Sequence, residues 1–346
     1  MDSFADLASK YNNFMAPARK VTVGGTDVLS NQTYGIESIT VSMSSRQAGS
    51  AQFNIINAFQ LNSRSFSDSV KSTFKLGSVV NIEMGYGSDT KLLFYGYIAE
   101  LSYDFSETPT ISVTAMDVIR LLMESERKNY VYEVTSYSEA FKAVLGKYSS
   151  YYEKLVVDDT EQNLKNVAQN GTDYQFIQGV LCAKANKEFM VEGGVVYFRT
   201  PAKDKSPILS LNWGEGLMSF QERKQQCNQL IRVFGKLKGG KEQVKKEVTA
   251  KTADASSSLT VIKEYEKSGF VDENAVQDYA DKLAEKMADK ARQGSGNCIG
   301  LPELVPGCLI QLGNLDSVEP KTCYITGVKH SIGTSGYTTQ FDGVLS

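Results

Sequence analysis

The chain has 346 residues, of which 41% are apolar; Tyr (18) and Phe (16) are plentiful, and the formal net charge is −3. That length suits two or three domains of roughly 100–200 residues each, and the near-neutral charge gives no general attraction to nucleic acid or an anionic membrane. The start, MDSFADLASK, lacks the apolar stretch of a signal peptide, and no apolar run approaches the ~18 residues of a membrane helix, so a protein made in the cytoplasm with no membrane segment is expected.

The first ~125 residues read as β-strands punctuated by Gly, Asp and Pro turns. In order they are KVTVGGTDVL, IESITVSMS (Ile36, Ile39, Val41 and Met43 nearly in phase), GSAQFNIIN, a polar loop through Ser63–Ser72, then GSVVNIEMGYG, KLLFYGYIAELSYDF and TISVTAMD. Asp117 opens a short helix, DVIRLLMES. Ser136 and Glu139 fit a capping box ahead of EAFKAVLGKY. A second helix starts near Asp173 and carries Phe176, Ile177, Val180 and Leu181 at helical spacing. EFMVEGGVVYFRT reads as a hairpin turning at Gly193-Gly194, and Pro201, Lys203, Asp204 and Pro207 mark a boundary.

Strands return with ILSLNW and LIRVFGKL, followed by an exposed Lys-rich loop or long hairpin tip at about 239–258. A helix at about 273–293, capped by Asp272, has an apolar face through Val276, Ala280, Ala284, Met287 and Ala291, and GSG at Gly294–Gly296 is expected to stop it. CLIQL, TCYITGV and YTTQF close the chain as strands.

Two β-rich stretches show a weak duplication. Setting Gly77 against Gly307 without gaps brings Val79 to Leu309, Val80 to Ile310, Ile82 to Leu312, Phe94 to Tyr324, Tyr95 to Ile325 and Ile98 to Val328. The two copies flank a helical insert, as expected for repeated units.

Residues that could carry chemistry are few. There is one histidine, His330, at the end of a strand; a Ser-His-Asp or Cys-His site needs it beside a nucleophile, and one His excludes His-rich metal sites. Cys182, Cys227, Cys298, Cys308 and Cys323 are odd in number and widely spaced, which fits reduced buried thiols better than disulfides or zinc. The adjacent Asp158 and Asp159 point to opposite faces if in a strand, and capping a helix at EQNLKNVAQ is their expected role. GKLKGGK is not a P-loop. The lysines Lys236, Lys238, Lys241, Lys245 and Lys246 have no aromatic partners for stacking bases. The sequons at Asn31 and Asn170 carry no weight without a signal peptide. No catalytic, cofactor-binding or metal-binding residue is assigned, and no specific nucleic-acid binding is expected.

The C-terminal run GLPELVPGCLIQLGNL…CYITGVKH…GYTTQF resembles the hub region of the phage late control gene D family, shared with valine–glycine-repeat spike proteins of type VI secretion and with hubs of R-type bacteriocins and contractile injection systems. The residues that carry it are Gly300, Pro302, Leu304, Gly307, Tyr324, Ile325, Val328 and His330; the spacing in the second run is one shorter than the commonest form. LLFYGYIAELSYDF with ISVTAMD, including Gly96 and Asp117, is similar to the family's first tube domain, and TDYQFIQGVLCAKANKEFMVEGGVVYF to its inserted domain.

The resemblance, over about 18–345, implies a mainly β fold with α insertions: an N-terminal arm (1–17), a first barrel-like tube domain (18–126), an inserted α+β domain (127–207) and a second tube domain (208–346). It further implies no enzyme but a structural baseplate hub of a phage tail or phage-tail-like particle. Three chains would close a ring joining a sixfold tail tube to a threefold spike, with a lumen for tape measure or cargo. The partners implied are a separately encoded spike or needle, a tube or tube-initiator protein, a tape measure protein and baseplate wedge proteins, with synthesis in the bacterial cytoplasm and residence in the assembled virion or particle. Two alternatives remain open. One is a tail-associated cell-wall hydrolase, which would need His330; the other is a glycan-binding tail adhesin using Tyr148, Tyr151 and Tyr152.

Overall fold

The computed structural model describes residues 1–30, 33–201, 206–225, 228–237, 243–251, 260–316 and 320–345. Helix α1 (Phe4–Lys10) opens the chain; the Ser3 hydroxyl accepts from Asp6 N while the Asp6 carboxylate accepts from Ser3 N, a complete capping box. Then come β1 (Pro17–Val23), β2 (Thr26–Asp27), β3 (Gly35–Ser44), β4 (Ser50–Ile56), β5 (Phe59–Gln60), β6 (Ser65–Phe66), α2 (Asp68–Thr73), β7 (Val79–Tyr86), β8 (Asp89–Asp104) and β9 (Thr110–Met116). The stretch Ser63–Ser72, expected as a loop, thus holds the end of a small hairpin and a helix, because Phe66 and Val70 are drawn into the core.

A compact insert follows, with α3 (Val118–Glu124), β10 (Lys128–Tyr132), α4 (Tyr137–Leu145), β11 (Lys154–Val157), β12 (Val167–Gly171), α5 (Asp173–Phe176), a π-helical turn (Ile177–Cys182), α6 (Ala183–Ala185), β13 (Glu188–Glu192) and β14 (Val195–Arg199). Its own core is built on Phe141, Phe176, Phe189 and Phe198, with the Phe141 and Phe198 rings stacked at 4.6 Å. Ser136 caps α4, accepting from Glu139 N, but the Glu139 carboxylate reaches one residue further back, to Thr135 N. No helix follows Asp158 and Asp159. Asp158 instead accepts from Thr200 N at 2.8 Å and pairs with Lys187 at 3.0 Å, tying β11 to the end of β14.

The last part contains β15 (Leu209–Trp213), β16 (Gly216–Lys224), β17 (Asn228–Leu237), β18 (Gln243–Lys251), β19 (Val261–Phe270), α7 (Glu273–Ala291), β20 (Arg292–Ile299), β21 (Leu309–Gly313), β22 (Lys321–Gly333) and β23 (Gly336–Leu345). Two expectations are corrected here. The Lys-rich stretch is not all loop: 243–251 is a strand beside β17, and the rest of 239–258 lies outside the described residues, as do Lys203, Asp204, Cys227, Asn31, Lys238 and Lys241. Helix α7 ends at Ala291, and Gly294–Gly296 lies inside strand β20, where a Cβ on Gly294 would stand 2.7 Å from the Phe220 ring and one on Gly296 2.4 Å from the Phe341 ring. Those glycines serve ring packing rather than helix termination.

Strand order exposes the duplication. Strands β15, β21, β22, β23, β20 and β16 close into a six-stranded barrel, the last junction being a short parallel contact of Asn212–Trp213 with Gly216–Leu217. In the first half, β1, β7, β8, β9, β4 and β3 follow the same order. The copies differ in their first strand, since β1 runs antiparallel to β7 but β15 parallel to β21. They also differ in closure. β3 bulges at Ser38, whose φ is 54°, and its far end, Ile39–Ser44, pairs with Gly327–Ile332 of β22. That end stays paired with β4 on its other side, so one strand belongs to both halves and 13 strands form one sheet.

Register refines the duplication. Gly77 and Gly307 both have positive φ (81° and 83°), and their N–H groups donate to Ile98 O and Ile325 O. Val79 then stands opposite Tyr97 and Leu309 opposite Tyr324. The counterpart of Tyr324 is thus Tyr97, not Phe94, and that of Ile325 is Ile98; the ungapped alignment slips inside the hairpin.

Candidate assembly surface

Alternation gives the shared sheet a buried face and a polar one. Val41, Ile39, Ala51, Phe53, Val113, Val328, Ile332 and Phe341 are buried. On the opposite face, rungs cross both halves without a break: Ser219, Asn297, Gln340, Lys329, Ser42 and Ser50 form one, and Gln221, Ser295, Asp342, Gly327 and Ser44 the next. The sheet curves around this face into a concavity of about 650 Å³. Its side chains are mostly short and uncharged, so it offers many weak hydrogen-bonding groups and no cluster suited to acid–base chemistry.

The turn carrying Gly300, Pro302, Leu304 and Gly307 is held from below by His330. Its Nε2–H donates to Leu304 O at 3.0 Å, so Nδ1 is the acceptor, 3.0 Å from both the Thr339 and Tyr337 hydroxyls. Thr339 Oγ1 in turn accepts from Leu301 N at 2.9 Å. His330 is fully buried, and desolvation pushes its pKa down to about 3, which keeps the ring neutral in this tautomer. A Cβ on Gly300 would stand 2.1 Å from the Tyr337 ring. Tyr337 continues a file of aromatic rings through Tyr86 (5.6 Å) to Tyr11 (5.0 Å) on the N-terminal arm.

That arm joins both halves. Leu7 is buried, Lys10 pairs with Glu303 at 2.9 Å, the Tyr11 hydroxyl donates to the same carboxylate, and the Asp2 backbone bridges Ile208 and Ser210. The insert spans them too: Lys91 of β8 pairs with Glu192 at 2.7 Å, the Tyr324 hydroxyl donates to Glu188 at 2.7 Å, and Arg199 pairs with Glu188 while donating to Gly307 O.

The residues singled out for chemistry are not brought together. His330 has no thiol or carboxylate among its hydrogen-bond partners. Cys182, Cys298, Cys308 and Cys323 are buried and unpaired with one another, and burial pushes the Cys182 and Cys323 thiols up to about 12 and Cys308 to about 11. Tyr148 donates to Asp173 at 2.7 Å and Tyr152 to Leu145 O within the insert, while the Tyr151 ring meets Tyr97 of β8 edge-on, so the three are engaged in packing rather than forming an exposed platform. Among the described residues no group of three or more His, Cys, Asp or Glu could hold a metal, and no helix is long and apolar enough to cross a membrane. The Asp117 carboxylate, read from sequence as a helix start and as part of the tube-domain resemblance, also accepts from Gly49 N at 2.8 Å and so links α3 to the β3–β4 turn.

Solved phage-tail proteins are similar to this fold of two barrel-like halves around a shared sheet. A tail protein from Neisseria meningitidis MC58 superposes with a TM-score of 0.75 at 13% identity, covering 95% of this chain and 96% of that one. The 43 kDa tail protein of prophage MuSo2 from Shewanella oneidensis gives 0.74 at 14% identity, covering 95% and 98%. A component of the type VI secretion system of E. coli, itself described as structurally similar to the T4 bacteriophage tail proteins gp27 and gp5, gives 0.58 at 12%, covering 94% and 77%. In sequence, the profile of the Alg8 N-terminal domain family matches residues 15–334, and the chain belongs to that family. The family model that matches is not that of the late control gene D family which the motifs resemble, while the solved structures above support the likeness to tail proteins coarsely. No curated protein matches the sequence.

Proposed function

We propose that this chain is a structural baseplate hub of a phage tail or phage-tail-like contractile particle, acting as a homotrimer between the tail tube and the central spike. The observation that carries it is the repeated strand order within one chain. Three copies of a two-fold repeated unit present six similar barrels to a sixfold tube and three identical faces to a spike. The neutral polar face suits a lumen wall past which a tape measure or cargo slides, because short Ser, Thr, Asn and Gln side chains give no strong point of attachment. The lone histidine is engaged in holding a turn, which supports a non-catalytic role. Tube, spike, tape measure and wedge proteins are its partners in this reading, and the assembled particle is its location.

The test is imaging of the purified protein alone and with its neighbouring gene products. A threefold ring with six peripheral densities is expected. A strictly monomeric protein that joins neither tube nor spike would overturn the proposal, and cell-wall degradation by the pure protein would favour the hydrolase.

A further inference from the structure

The seam between β3 and β22 has two unused counterparts in the same chain. Gly327, Lys329 and Ser331 stand opposite Asp342, Gln340 and Thr338; in the first half Glu100, Ser102 and Asp104 stand opposite Thr114, Ser112 and Thr110 at the same place in the strand order. The end of β8 is therefore the counterpart of the part of β22 that receives β3. Likewise Thr40 and Ser42 of β3 lie beside Gln52 and Ser50, as Gln221 and Arg223 of β16 lie beside Ser295 and Gln293. The end of β16 is the counterpart of the part of β3 that makes the seam. Among the described residues, no strand pairs with the outer side of Glu100–Asp104 or with that of Met218–Arg223.

We infer that β16 of one copy pairs antiparallel with the end of β8 of the next copy, repeating between copies the seam that β3 and β22 make within one. Carrying over the internal register, Lys329 opposite Ser42 becomes Ser102 opposite Arg223, and Ser331 opposite Thr40 becomes Asp104 opposite Gln221. Two observations point to a second copy as the occupant. His330 and Ile332, on the core side of the internal seam, are 0% and 4% exposed, whereas their counterparts Tyr103 and Phe105 are 47% and 68% exposed; a strand laid along this edge, with Phe220 reaching Phe105, would cover them. Charge is complementary too. On the polar face Arg223 would lie diagonally between Glu100 and Asp104, within reach across a strand pair. An uncovered edge with exposed aromatics is a hazard that ring closure removes. The number of copies, three, rests on the hub reading above.

The test is cysteine cross-linking of the full chain by mild oxidation, since facing residues in antiparallel strands lie about 4.5–5.5 Å apart at Cα, within disulfide reach. Ser102→Cys with Arg223→Cys, and separately Asp104→Cys with Gln221→Cys, should give chains joined to one another and ending at a closed three-chain species, while each single variant gives none. Lys329→Cys with Ser42→Cys should close within one chain and serves as the positive control. If light scattering shows a trimer and neither test pair cross-links while the control does, the strand pairing is wrong and the hub reading stands. Cross-links running to chains longer than three would support the pairing and overturn the trimer. A protein that neither associates nor cross-links overturns the pairing.

Discussion

Replacing His330 with Leu removes a fully buried ring that donates to Leu304 O and accepts from Tyr337 and Thr339. Leaving a buried carbonyl without its donor costs about 1–3 kcal/mol, and a buried tyrosine hydroxyl that loses its acceptor adds a similar amount. A loss of about 3 kcal/mol near neutral pH follows, or roughly 6–12 °C in melting temperature for a unit of this size. The deficit should also depend on pH. In the folded protein burial holds the His330 pKa near 3, below the ordinary value of 6.5. As pH falls below 6.5 the unfolded chain takes up a proton that the folded one refuses. The wild type therefore loses about 1.4 kcal/mol per pH unit from this group until pH reaches about 3, and His330→Leu does not. Between pH 7.5 and 5.0 the wild type should lose about 2 kcal/mol by this route, shrinking the deficit to about 1 kcal/mol. Asp117, pushed up to about 7 by burial, titrates in the same range with the opposite sign, but it is present in both proteins and cancels. Urea unfolding followed by circular dichroism at the two pH values measures the difference. A deficit that stays constant would refute the claim that this histidine is held neutral.

Gly300→Ala should destabilise by roughly 1–3 kcal/mol, as overpacking does, because its methyl would meet the Tyr337 ring; thermal melting checks this. Deleting residues 1–15 removes the buried Leu7 and Tyr11 side chains and the ion pair to Glu303, and should cost roughly 3–5 kcal/mol, with faster proteolysis near Tyr86 as the accompanying sign. The four buried cysteines should resist a thiol reagent at pH 8 in the folded protein and all react in denaturant; rapid labelling of any of them without unfolding would contradict their burial.

Much of the strand pattern was legible because alternation is a local signal. IESITVSMS shows it, with Ile36, Ile39, Val41 and Met43 buried as read. The misreadings trace to distant partners. QVKKEVTAK looks like a charged loop because Lys246 interrupts the apolar set of Val244, Val248 and Ala250, yet Lys246 reaches Glu273 at the start of α7 at 3.0 Å. GSG looks like a helix stop until the Phe220 and Phe341 rings are in place. The duplication was visible at Gly77 and Gly307 and then lost register, because the two hairpins differ in length and an ungapped comparison cannot see that. The seam between β3 and β22 joins residues nearly 300 positions apart, and nothing in either strand names the other. The sequence places His330 at the end of a strand and within the resemblance, but its partner Leu304, in the same motif, appears only in three dimensions.

The stretch of β3 beyond the bulge at Ser38, held between β4 of one half and β22 of the other, also has a mechanical meaning. The halves are joined by backbone rungs from Ile39 to Ser44 as well as by side-chain contact. A load along the strands would have to break those rungs together, whereas a load that peels the strands apart would break them one at a time. Thrust directed along β3 and β22 would pass from one half to the other as through a riveted lap joint, stiff along its length and weak only to prying.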